Sequence, residues 1–485
     1  MSTRYDLIII GGGITGLGVA RLAARNGYRC AVLEREDLAS GTSSVSSHML
    51  HGGLRYLEHG RFGLVRESLA ERFAVHRMAP GVTRPCRFLA PFYRGDRIGP
   101  WRLRAGLWLY DRLAGPHRLS PASVLRAREA RRLEPGLEHR GLRGAGSYAD
   151  VVMDDARLAV AVARDAAAHG AEIRTYTEVT GARPVPGGGI ELLATDRLEG
   201  GEQAWQATLV VNAAGPWVDH VRLILARSLA PGAPDPEPLL RPSRGIHLAY
   251  PRLTNGHGLV LTTRRDGRVF FVVPFGERSL VGTTEIELPS PAPPEAWRPT
   301  LEEVAYLRSE LRRVLPEAAA TPPIAVLSGV RPLLRSDDET GSASREHAVF
   351  EEHGVLSVAG GKYTTFRVMA RDVLAHAAPK LGGSGSRITD SDAPLPPPVA
   401  AEAELEREAE FAVEHEFARR LADVLRRRTA LWLEPDRGRI AATTVCAVMA
   451  RRLGWSPARA REEFQGYDAR LWEEETLIQR TQEGR

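Results

Sequence analysis

The segment YDLIIIGGGITGLGVARLAARNGYRCAVLE, residues 5–34, decides the fold that the sequence predicts. It reads as an apolar strand, a G-x-G-x-x-G turn, a helix and a second strand that ends at Glu34. Gly11 and Gly13 allow the backbone to turn tightly and approach a pyrophosphate at the helix N-terminus, and Gly16 allows close helix–strand packing. An acid about 20 residues beyond the turn can bind a ribose diol. The segment therefore predicts a βαβ dinucleotide-binding unit.

The next informative segment, GTSSVSSHMLHGGLRYLE at residues 41–58, follows this unit directly. Its hydroxyl side chains cannot form a core, and its glycine pair interrupts regular structure. Such a composition suits a backbone that wraps around a phosphorylated ligand. We expect His51 and Arg55 to face a small polar substrate there.

Together with these segments, seven further motifs give the chain a resemblance to the FAD-dependent glycerol-3-phosphate dehydrogenases, the quinone-linked flavoproteins of respiratory membranes. They are DDARL (154–158), NAAGPWVD (212–219), RGIH (244–247), VGTTE (281–285), SGVRPL (328–333), SREH (344–347) and GGKYTTFR (360–367). The resemblance covers nearly the whole chain. It implies that the protein oxidises sn-glycerol 3-phosphate to dihydroxyacetone phosphate by hydride transfer to FAD and passes the electrons to a membrane quinone.

The resemblance also implies an α/β fold with three parts: a Rossmann-type FAD-binding domain, an antiparallel-sheet substrate domain like that of D-amino-acid oxidase, and a C-terminal helical domain. Short β-rich runs between about 240 and 290, and a helical pattern after 401, agree with this division. The expected boundaries are 1–90, 150–220 and 325–380 for the FAD-binding domain, 91–149 and 221–324 for the substrate domain, 381–400 for a linker, and 401–485 for the helical domain.

FAD and NAD both use the first βαβ unit, so that unit alone does not distinguish them. Three further segments, GTSS (41–44), NAAGPW (212–217) and GGKYTT (360–365), are expected to add contacts suited to a bound flavin, which favours FAD. The candidate cofactor-binding residues are Gly11, Gly13, Gly16, Glu34, Thr42, Ser43, Ser47, His48, Gly53, Val179, Gly215, Gly361, Lys362 and Thr364. His48 is a departure from the resembled family, which commonly has lysine there. Val45 and Glu285 are two further departures, at positions where that family often has a polar residue and an aspartate.

The substrate phosphate calls for a cationic cage, because a guanidinium fork can bond two phosphate oxygens at once. Arg55, Arg331, Arg345 and Lys362 lie in glycine- or serine-bearing motifs and are expected to converge. The resemblance assigns the last three to the substrate pocket. Two more candidate substrate contacts are Tyr56 and Thr283.

Lysine is rare in this chain: of 65 basic residues only Lys362 and Lys380 are lysines. A lysine in an arginine-dominated chain can mark a site that needs a compact ammonium group. Lys380 stands beside a Gly/Ser linker, whereas Lys362 lies inside the motif GGKYTT. We therefore expect Lys362 to bind substrate or to stabilise negative charge on the reduced flavin.

Two histidines are candidates for the base that removes the proton of the C2 hydroxyl, since imidazole titrates near neutrality. His51 lies four residues before Arg55, and His247 comes from the β-rich region. The expected catalytic set is thus His51, Arg55, His247, Arg331 and Lys362, with His51 the favoured base.

Composition excludes several other classes of protein. The three cysteines lie far apart without a C-x-x-C pattern, so no disulfide framework, zinc ribbon or Fe–S site is indicated. The chain enters a strand within five residues, and no apolar run approaches the ~20 residues that span a bilayer. We expect a cytoplasmic protein that is peripherally associated with the inner face of the cell membrane.

The net charge of +5 is spread along the chain without a polybasic block, which disfavours nucleic acid as a partner. Residues 101–113, WRLRAGLWLYDRL, fit either a membrane-facing amphipathic helix or a packed helix with snorkelling arginines, and the packed helix is favoured. The sequence leaves a monomer and a homodimer both open.

Three alternative functions are compatible with a flavin-binding fold. The same fold could serve as an oxidase that uses O2, although the long insertion usual in those oxidases has no room here. The same fold could also oxidise an amine or a 2-hydroxy acid. The phosphate-directed arginines disfavour this alternative. A flavin-binding sensor without catalysis would not need His51, Lys362 and three pocket arginines together.

Overall fold

A computed structural model describes residues 4–96, 99–317, 320–335, 346–382, 388–399 and 404–483. Its strands, in chain order, are β1 (Arg4–Ile10), β2 (Cys30–Leu33), β3 (Met49–Leu50), β4 (Thr83–Tyr93), β5 (Ser123–Arg126), β6 (Leu142–Met153), β7 (Glu172–Arg174), β8 (Thr177–Pro184), β9 (Ile190–Asp196), β10 (Glu202–Asn212), β11 (Ser243–Pro251), β12 (Gly258–Thr262), β13 (Val269–Phe275), β14 (Arg278–Gly282), β15 (Ile286–Glu287), β16 (Ala325–Arg331), β17 (His347–Glu352) and β18 (Val355–Gly360).

The helices, in chain order, are α1 (Ile14–Arg25), α2 (Phe62–Met78), α3 (Pro100–Ala114), α4 (Ala127–Leu133), α5 (Asp155–Ala168), α6 (Val218–Leu229), α7 (Leu301–Val314), α8 (Phe366–Ala377), α9 (Leu405–His415), α10 (Leu421–Asp423), α11 (Arg439–Leu453) and α12 (Pro457–Glu483). The α10 turn continues as a π-helix over Val424–Arg428. A six-residue 3-10 turn spans Leu54–His59.

The first sheet has the order β17-β18-β10-β1-β2-β7, and β1 pairs in parallel with both β10 and β2. Because successive side chains of a strand point to opposite faces, the apolar run of β1 serves two cores. Leu7 and Ile9 pack in the cluster that contains residues of α1, α5 and α8. Ile8 and Ile10 pack on the other side with residues of β8, β9 and α6. The helix predicted after the glycine turn is thus α1.

The second sheet is largely antiparallel and has the order β15-β11-β14-β13-β12-β4-β6-β3, with β16 on β11 and β5 on β6. Helix α7 packs its buried residues Val304, Leu307 and Leu311 into the core of this sheet. The short strand β3 belongs to the serine-rich segment 41–58 and pairs with β6. The segment that follows the dinucleotide-binding unit is therefore anchored on the second sheet.

Two expected domain boundaries differ from the strand pairing. Most of β4 was expected in the FAD-binding domain, within 1–90, yet β4 pairs with β6 and β12 in the second sheet. Likewise β16 was expected in the FAD-binding domain, within 325–380, yet it pairs with β11. An apolar strand pattern shows that a strand is buried, but its pairing partner is decided by residues far away in the sequence.

The C-terminal helices α9 to α12 enclose a core of their own around Leu421, Val445, Met449 and Leu471. Buried ion pairs join this unit to the first sheet. Both Arg427 and Arg428 bond the carboxylate of Asp37, which lies just beyond β2. Burial by itself would raise the pKa of Asp37, but the two guanidinium groups outweigh it and hold that pKa below its usual value.

Two tryptophans of helix α3 are exposed to solvent. Leu107 and Tyr110 are buried against the molecule, whereas Trp101 is 79% exposed and Trp108 is 66% exposed. The packed-helix interpretation of residues 101–113 therefore holds for one face only. Among the residues that the structure describes, no helix is long and apolar enough to cross a membrane.

Candidate functional site

The glycine turn between β1 and α1 lies against the end of β10. A Cβ atom at Gly11 would stand 2.6 Å from the carbonyl oxygen of Ala213, and one at Gly16 would stand 2.1 Å from that of Gly11. Gly11 also has a φ of +113°, which favours glycine. The Oγ of Ser43 accepts a hydrogen bond from the first α1 amide, Ile14 N–H, at 3.0 Å. The glycine backbone and Ser43 Oγ thus lie together at the positive end of α1.

Glu34 stands at the end of β2, beside the glycine turn. Its carboxylate accepts hydrogen bonds from Gly12 N–H at 2.6 Å and from Glu36 N–H at 2.8 Å. Burial raises the pKa of this carboxyl, and the two amide bonds act in the opposite direction. Val179, in β8, lines the same space. The acid thus lies where the sequence predicts a ribose contact.

One cavity of about 810 Å³ begins at the glycine turn and runs between the two sheets. Pockets of about 300–1,000 Å³ are typical for small ligands and cofactors, so its volume is ample. The candidate residues that line it are Gly11, Gly13, Glu34, Thr42, Ser43, Ser47, His51, Val179, Gly215, His247, Thr283, Arg331, Gly361, Lys362 and Thr364. Residues far apart in sequence therefore meet around one space.

Arg331 ends β16 and lies at the sheet end of the cavity. Its Nη2 donates to Thr283 Oγ1 at 2.8 Å and to Thr284 O at 3.0 Å, and its Nη1 lies 3.3 Å from Ser243 Oγ. A Cβ atom at Gly245 would stand 2.3 Å from Arg331 Nη2, so this glycine makes room for the guanidinium. The cation is held in one orientation, which suits the binding of an anion.

His247, on β11, borders the cavity near the serine-rich segment. Its Nε2 lies 3.1 Å from Ser47 Oγ, within hydrogen-bonding distance. Burial, followed by the charges of His48 and Arg331, lowers the pKa of His247 to about 3. The imidazole is therefore neutral at any physiological pH.

His51 and Lys362 border the same cavity. The backbone N–H of His51 lies 3.4 Å from Thr364 Oγ1, which ties the serine-rich segment to the GGKYTT turn. Lys362 Nζ lies 4.0 Å from the centre of the Tyr56 ring and 3.4 Å from Ser68 Oγ. An ammonium group over an aromatic face gains electrostatic stabilisation. Lys362 thus supplies a positive charge beside the cavity.

Comparison with known proteins places these features in a family. The family described as FAD dependent oxidoreductase matches residues 6–367, and the C-terminal domain of alpha-glycerophosphate oxidase matches residues 369–460. Glycerol-3-phosphate dehydrogenase 2 of Mycobacterium tuberculosis is 35% identical over an alignment that covers 98% of this chain and 89% of that protein. The chain belongs to the FAD-dependent glycerol-3-phosphate dehydrogenase family.

Solved structures agree with this fold. The glycerol-3-phosphate dehydrogenase of Bacillus halodurans, complexed with FAD, has a TM-score of 0.75 at 24% identity and covers 97% of this chain and 95% of its own. The L-alpha-glycerophosphate oxidase of Mycoplasma pneumoniae, with FAD bound, has a TM-score of 0.57 at 16% identity and covers 77% and 94%. The expected architecture, an FAD-binding domain with a C-terminal helical domain, is confirmed.

FAD is the cofactor of this family, and the residues present fit it. Gly11 and Gly13 put no side chain into the cavity at the α1 N-terminus, where Ser43 Oγ meets the first helix amide, and Glu34 lines the same cavity. Gly361, at the other end, has a φ of +86°, and the chain there turns from β18 into the GGKYTT motif. The cavity is thus bordered by all three segments that the sequence predicted for FAD.

Several predicted site residues do not border the cavity. Arg55 is exposed on the 3-10 turn Leu54–His59, and Tyr56 does not line the cavity but lies with its ring against Lys362, which does. His48 is buried behind the cavity wall, and its Nδ1 lies 3.5 Å from Asp155 Oδ1. Gly16 and Gly53 support the backbone without bordering the cavity, and Arg345 lies outside the described residues.

Other residues border the cavity that the sequence did not single out. The rings of Trp217, in a turn after β10, and Trp297, in a turn before α7, stack with centroids 4.3 Å apart, and both line the cavity. Arg420, Asp423 and Arg426 reach it from the C-terminal helices. Trp217 could have been found from NAAGPW, whereas the three C-terminal residues lie in no motif.

Proposed function

We propose that this protein oxidises sn-glycerol 3-phosphate to dihydroxyacetone phosphate. The observation that carries the proposal is the fixed Arg331 guanidinium in the cavity that begins at the dinucleotide-binding turn. The relative from M. tuberculosis is named for this substrate. FAD, when bound, supplies the acceptor for the hydride from C2.

The phosphate is the part of the substrate that the cations recognise. Arg331 offers a guanidinium fork and Lys362 a compact ammonium group, and both border the cavity. We include Arg345 among the phosphate contacts on the basis of its sequence motif, SREH, because it lies outside the described residues. Arg55, exposed on the 3-10 turn, is left out of the phosphate contacts.

The proton of the C2 hydroxyl passes to a histidine while the hydride and its two electrons leave C2, so that a ketone forms. We assign this base to His51, which borders the cavity and is half-buried. His247 is neutral, as a base must be, but its low pKa makes it a weak proton acceptor. Its assigned role is to bind the substrate hydroxyl or to orient Ser47.

The test of the reaction is steady-state oxidation with an artificial electron acceptor. Glycerol 3-phosphate should be turned over with dihydroxyacetone phosphate as the product, and glycerol, lactate and glycine should be very poor substrates. Comparable turnover of lactate or glycine would point to a 2-hydroxy-acid or amine oxidoreductase instead.

We further propose that the electrons pass to a membrane quinone and that α3 docks the protein on the membrane. Trp101, Arg104, Trp108 and Arg112 are all exposed and share one stripe of this helix. Phe62, at the start of α2, is 47% exposed. Aromatic side chains among arginines suit the interface of an anionic bilayer.

The electron acceptor can be tested by comparing a soluble quinone with O2. Turnover should be fast with the quinone, and oxygen consumption should be a small fraction of it. Oxygen consumption at the quinone rate, with hydrogen peroxide as product, would assign the chain as an oxidase.

A further inference from the structure

Asp155, the second residue of the motif DDARL, is buried at the start of α5. The N-cap of this helix is its neighbour Asp154, whose carboxylate accepts Arg157 N–H at 3.0 Å. The Asp155 carboxylate instead reaches the serine-rich segment. Its Oδ2 accepts Ser46 N–H at 3.0 Å and Ser46 Oγ–H at 2.7 Å, across 109 positions of sequence.

This contact is strong because the carboxylate is buried and well supplied with donors. Its Oδ1 accepts Ala156 N–H at 2.8 Å, at the positive end of α5. Hydrogen bonds to a charged group are stronger than those between neutral groups. A buried carboxylate without such donors would be costly, so Asp155 and Ser46 depend on each other.

The bond to Ser46 shapes the next residues of the segment. Ser46 Oγ also accepts His48 N–H at 3.0 Å, and His48 has a left-handed backbone with a φ of +51°. This conformation is costly for a residue with a Cβ atom and needs support from its surroundings. Asp155 supplies part of that support, since its Oδ1 also lies 3.5 Å from His48 Nδ1.

Both candidate bases depend on this short stretch. Ser47, between the two supported residues, reaches Nε2 of His247 at 3.1 Å. His48 O accepts Met153 N–H at 3.0 Å, which begins the pairing of β3 with β6 and leads the chain to His51. A change at Ser46 would therefore move Ser47 and His51 together.

Asp155 also contacts the GGKYTT segment at residues 360–365, which is expected to contact FAD. Its backbone oxygen accepts the hydroxyl of Tyr363, the residue after Lys362, at 2.5 Å. Burial raises the pKa of Tyr363 well above its ordinary value, so the phenol stays protonated and can donate. Helix α5, the serine-rich segment and the GGKYTT turn thus meet at one residue.

We propose that Asp155 is a positioning residue that fixes the segment Gly41–His51 in its FAD- and substrate-binding geometry. Asp155 itself is not among the residues that line the cavity, and it acts through Ser46, which is. The effect on FAD binding follows from the family's cofactor, and only the effect on catalysis rests on the proposed function.

The test compares Asp155→Asn with Asp154→Asn in the full-length FAD-bound protein. Asparagine keeps the size of either side chain and remains a good N-cap at 154. At 155 it replaces one carboxylate oxygen with an NH2 group, so either the two Ser46 donors or Ala156 N–H lose their acceptor. Amide hydrogen exchange at residues 46–48, the dissociation constant of FAD and the rate of flavin reduction are measured for each.

We expect Asp155→Asn to speed exchange at residues 46–48 at least tenfold, to weaken FAD binding about tenfold and to slow flavin reduction, while Asp154→Asn stays within about twofold of wild type. Ser46→Ala should reproduce these changes with α5 intact, and the double variant should be no worse than either single variant. Wild-type exchange and FAD affinity in Asp155→Asn, or in Ser46→Ala should Asp155→Asn not fold, would overturn the proposal.

The outcomes for the two proposals are separable. If the wild-type protein holds FAD but glycerol 3-phosphate does not reduce it, the proposed function fails. Amide hydrogen exchange and FAD affinity are measured without substrate, so they test the role of Asp155 in either case.

Discussion

At the scale of single residues, Arg331 carries the phosphate assignment. Replacing it in Arg331→Ala removes a charge-assisted contact worth about 1.5–3 kcal/mol, so the KM for glycerol 3-phosphate should rise roughly ten- to hundredfold with FAD retained. The matched control is Arg335→Ala, because Arg335 is a solvent-exposed arginine four residues away. An equal effect of both substitutions would remove Arg331 from the phosphate site.

The two histidines are distinguished by rate. His51→Gln should slow flavin reduction by the ~10²–10⁴-fold typical of a lost acid–base group, with substrate binding largely kept. His247→Gln should cost less, since its imidazole is a weak base at a pKa of about 3. Rapid mixing under anaerobic conditions measures both rates. A larger loss for His247→Gln would exchange the two roles.

His247 also makes stability depend on pH. Its pKa is about 3 when folded and about 6.5 when unfolded, so the unfolded chain binds the extra proton between these values and stability falls as pH drops through that window. From pH 7 to pH 5 this group should remove about 2 kcal/mol from the free energy of unfolding. Urea unfolding of wild type and His247→Gln at both pH values measures the difference. Identical pH dependence in the two proteins would show that His247 titrates normally when folded.

Local sequence predicted the residues whose role is set by their own segment. Gly11 and Gly16 follow from the turn that they make, and Glu34 follows from its distance along the chain. Arg55 was expected to face the substrate, and its exposed place on a 3-10 turn is a local conformation that the sequence pattern did not indicate. Asp155 could be recognised from the sequence only as part of the motif DDARL. Its hydrogen bond with Ser46 could not be predicted, because the two residues are 109 positions apart.

At the scale of elements, α3 carries the membrane proposal. The double variant Trp101→Ser/Trp108→Ser should lose at least tenfold of its binding to anionic vesicles, because two large exposed side chains no longer enter the interface. Trp472→Ser is the matched control, since Trp472 is 66% exposed on α12, as Trp108 is on α3. Sedimentation with vesicles at low and high salt measures the binding. Unchanged binding of the double variant would exclude α3 as the docking element.

Secondary structure was easier to predict than pairing. The periodic patterns of β1 and α1 are local, and both elements lie where the sequence predicts them. The assignment of β4 and β16 to a sheet needed knowledge of β6 and β11, which are distant in sequence. Strand partners are non-local, so their placement was the weaker part of the sequence interpretation.

At the scale of the whole molecule, the cavity is lined by residues of all three structural parts. Both sheets border it, and Arg426 reaches it from the C-terminal helices. The buried ion pair between Asp37 and Arg428 joins residues 391 positions apart, and neither residue belongs to a motif from which the site was predicted. Sequence reasoning could find the helical domain but not its contact with the cofactor side of the molecule.

The most direct test of the account is anaerobic mixing of the purified FAD-bound protein with glycerol 3-phosphate. We predict that the absorbance near 450 nm bleaches as the flavin is reduced, and that glycerol, which lacks the phosphate bound by Arg331, bleaches it very slowly. A flavin that glycerol 3-phosphate leaves oxidised would contradict the account and favour a flavin-binding sensor, and equal bleaching by glycerol would contradict the phosphate site.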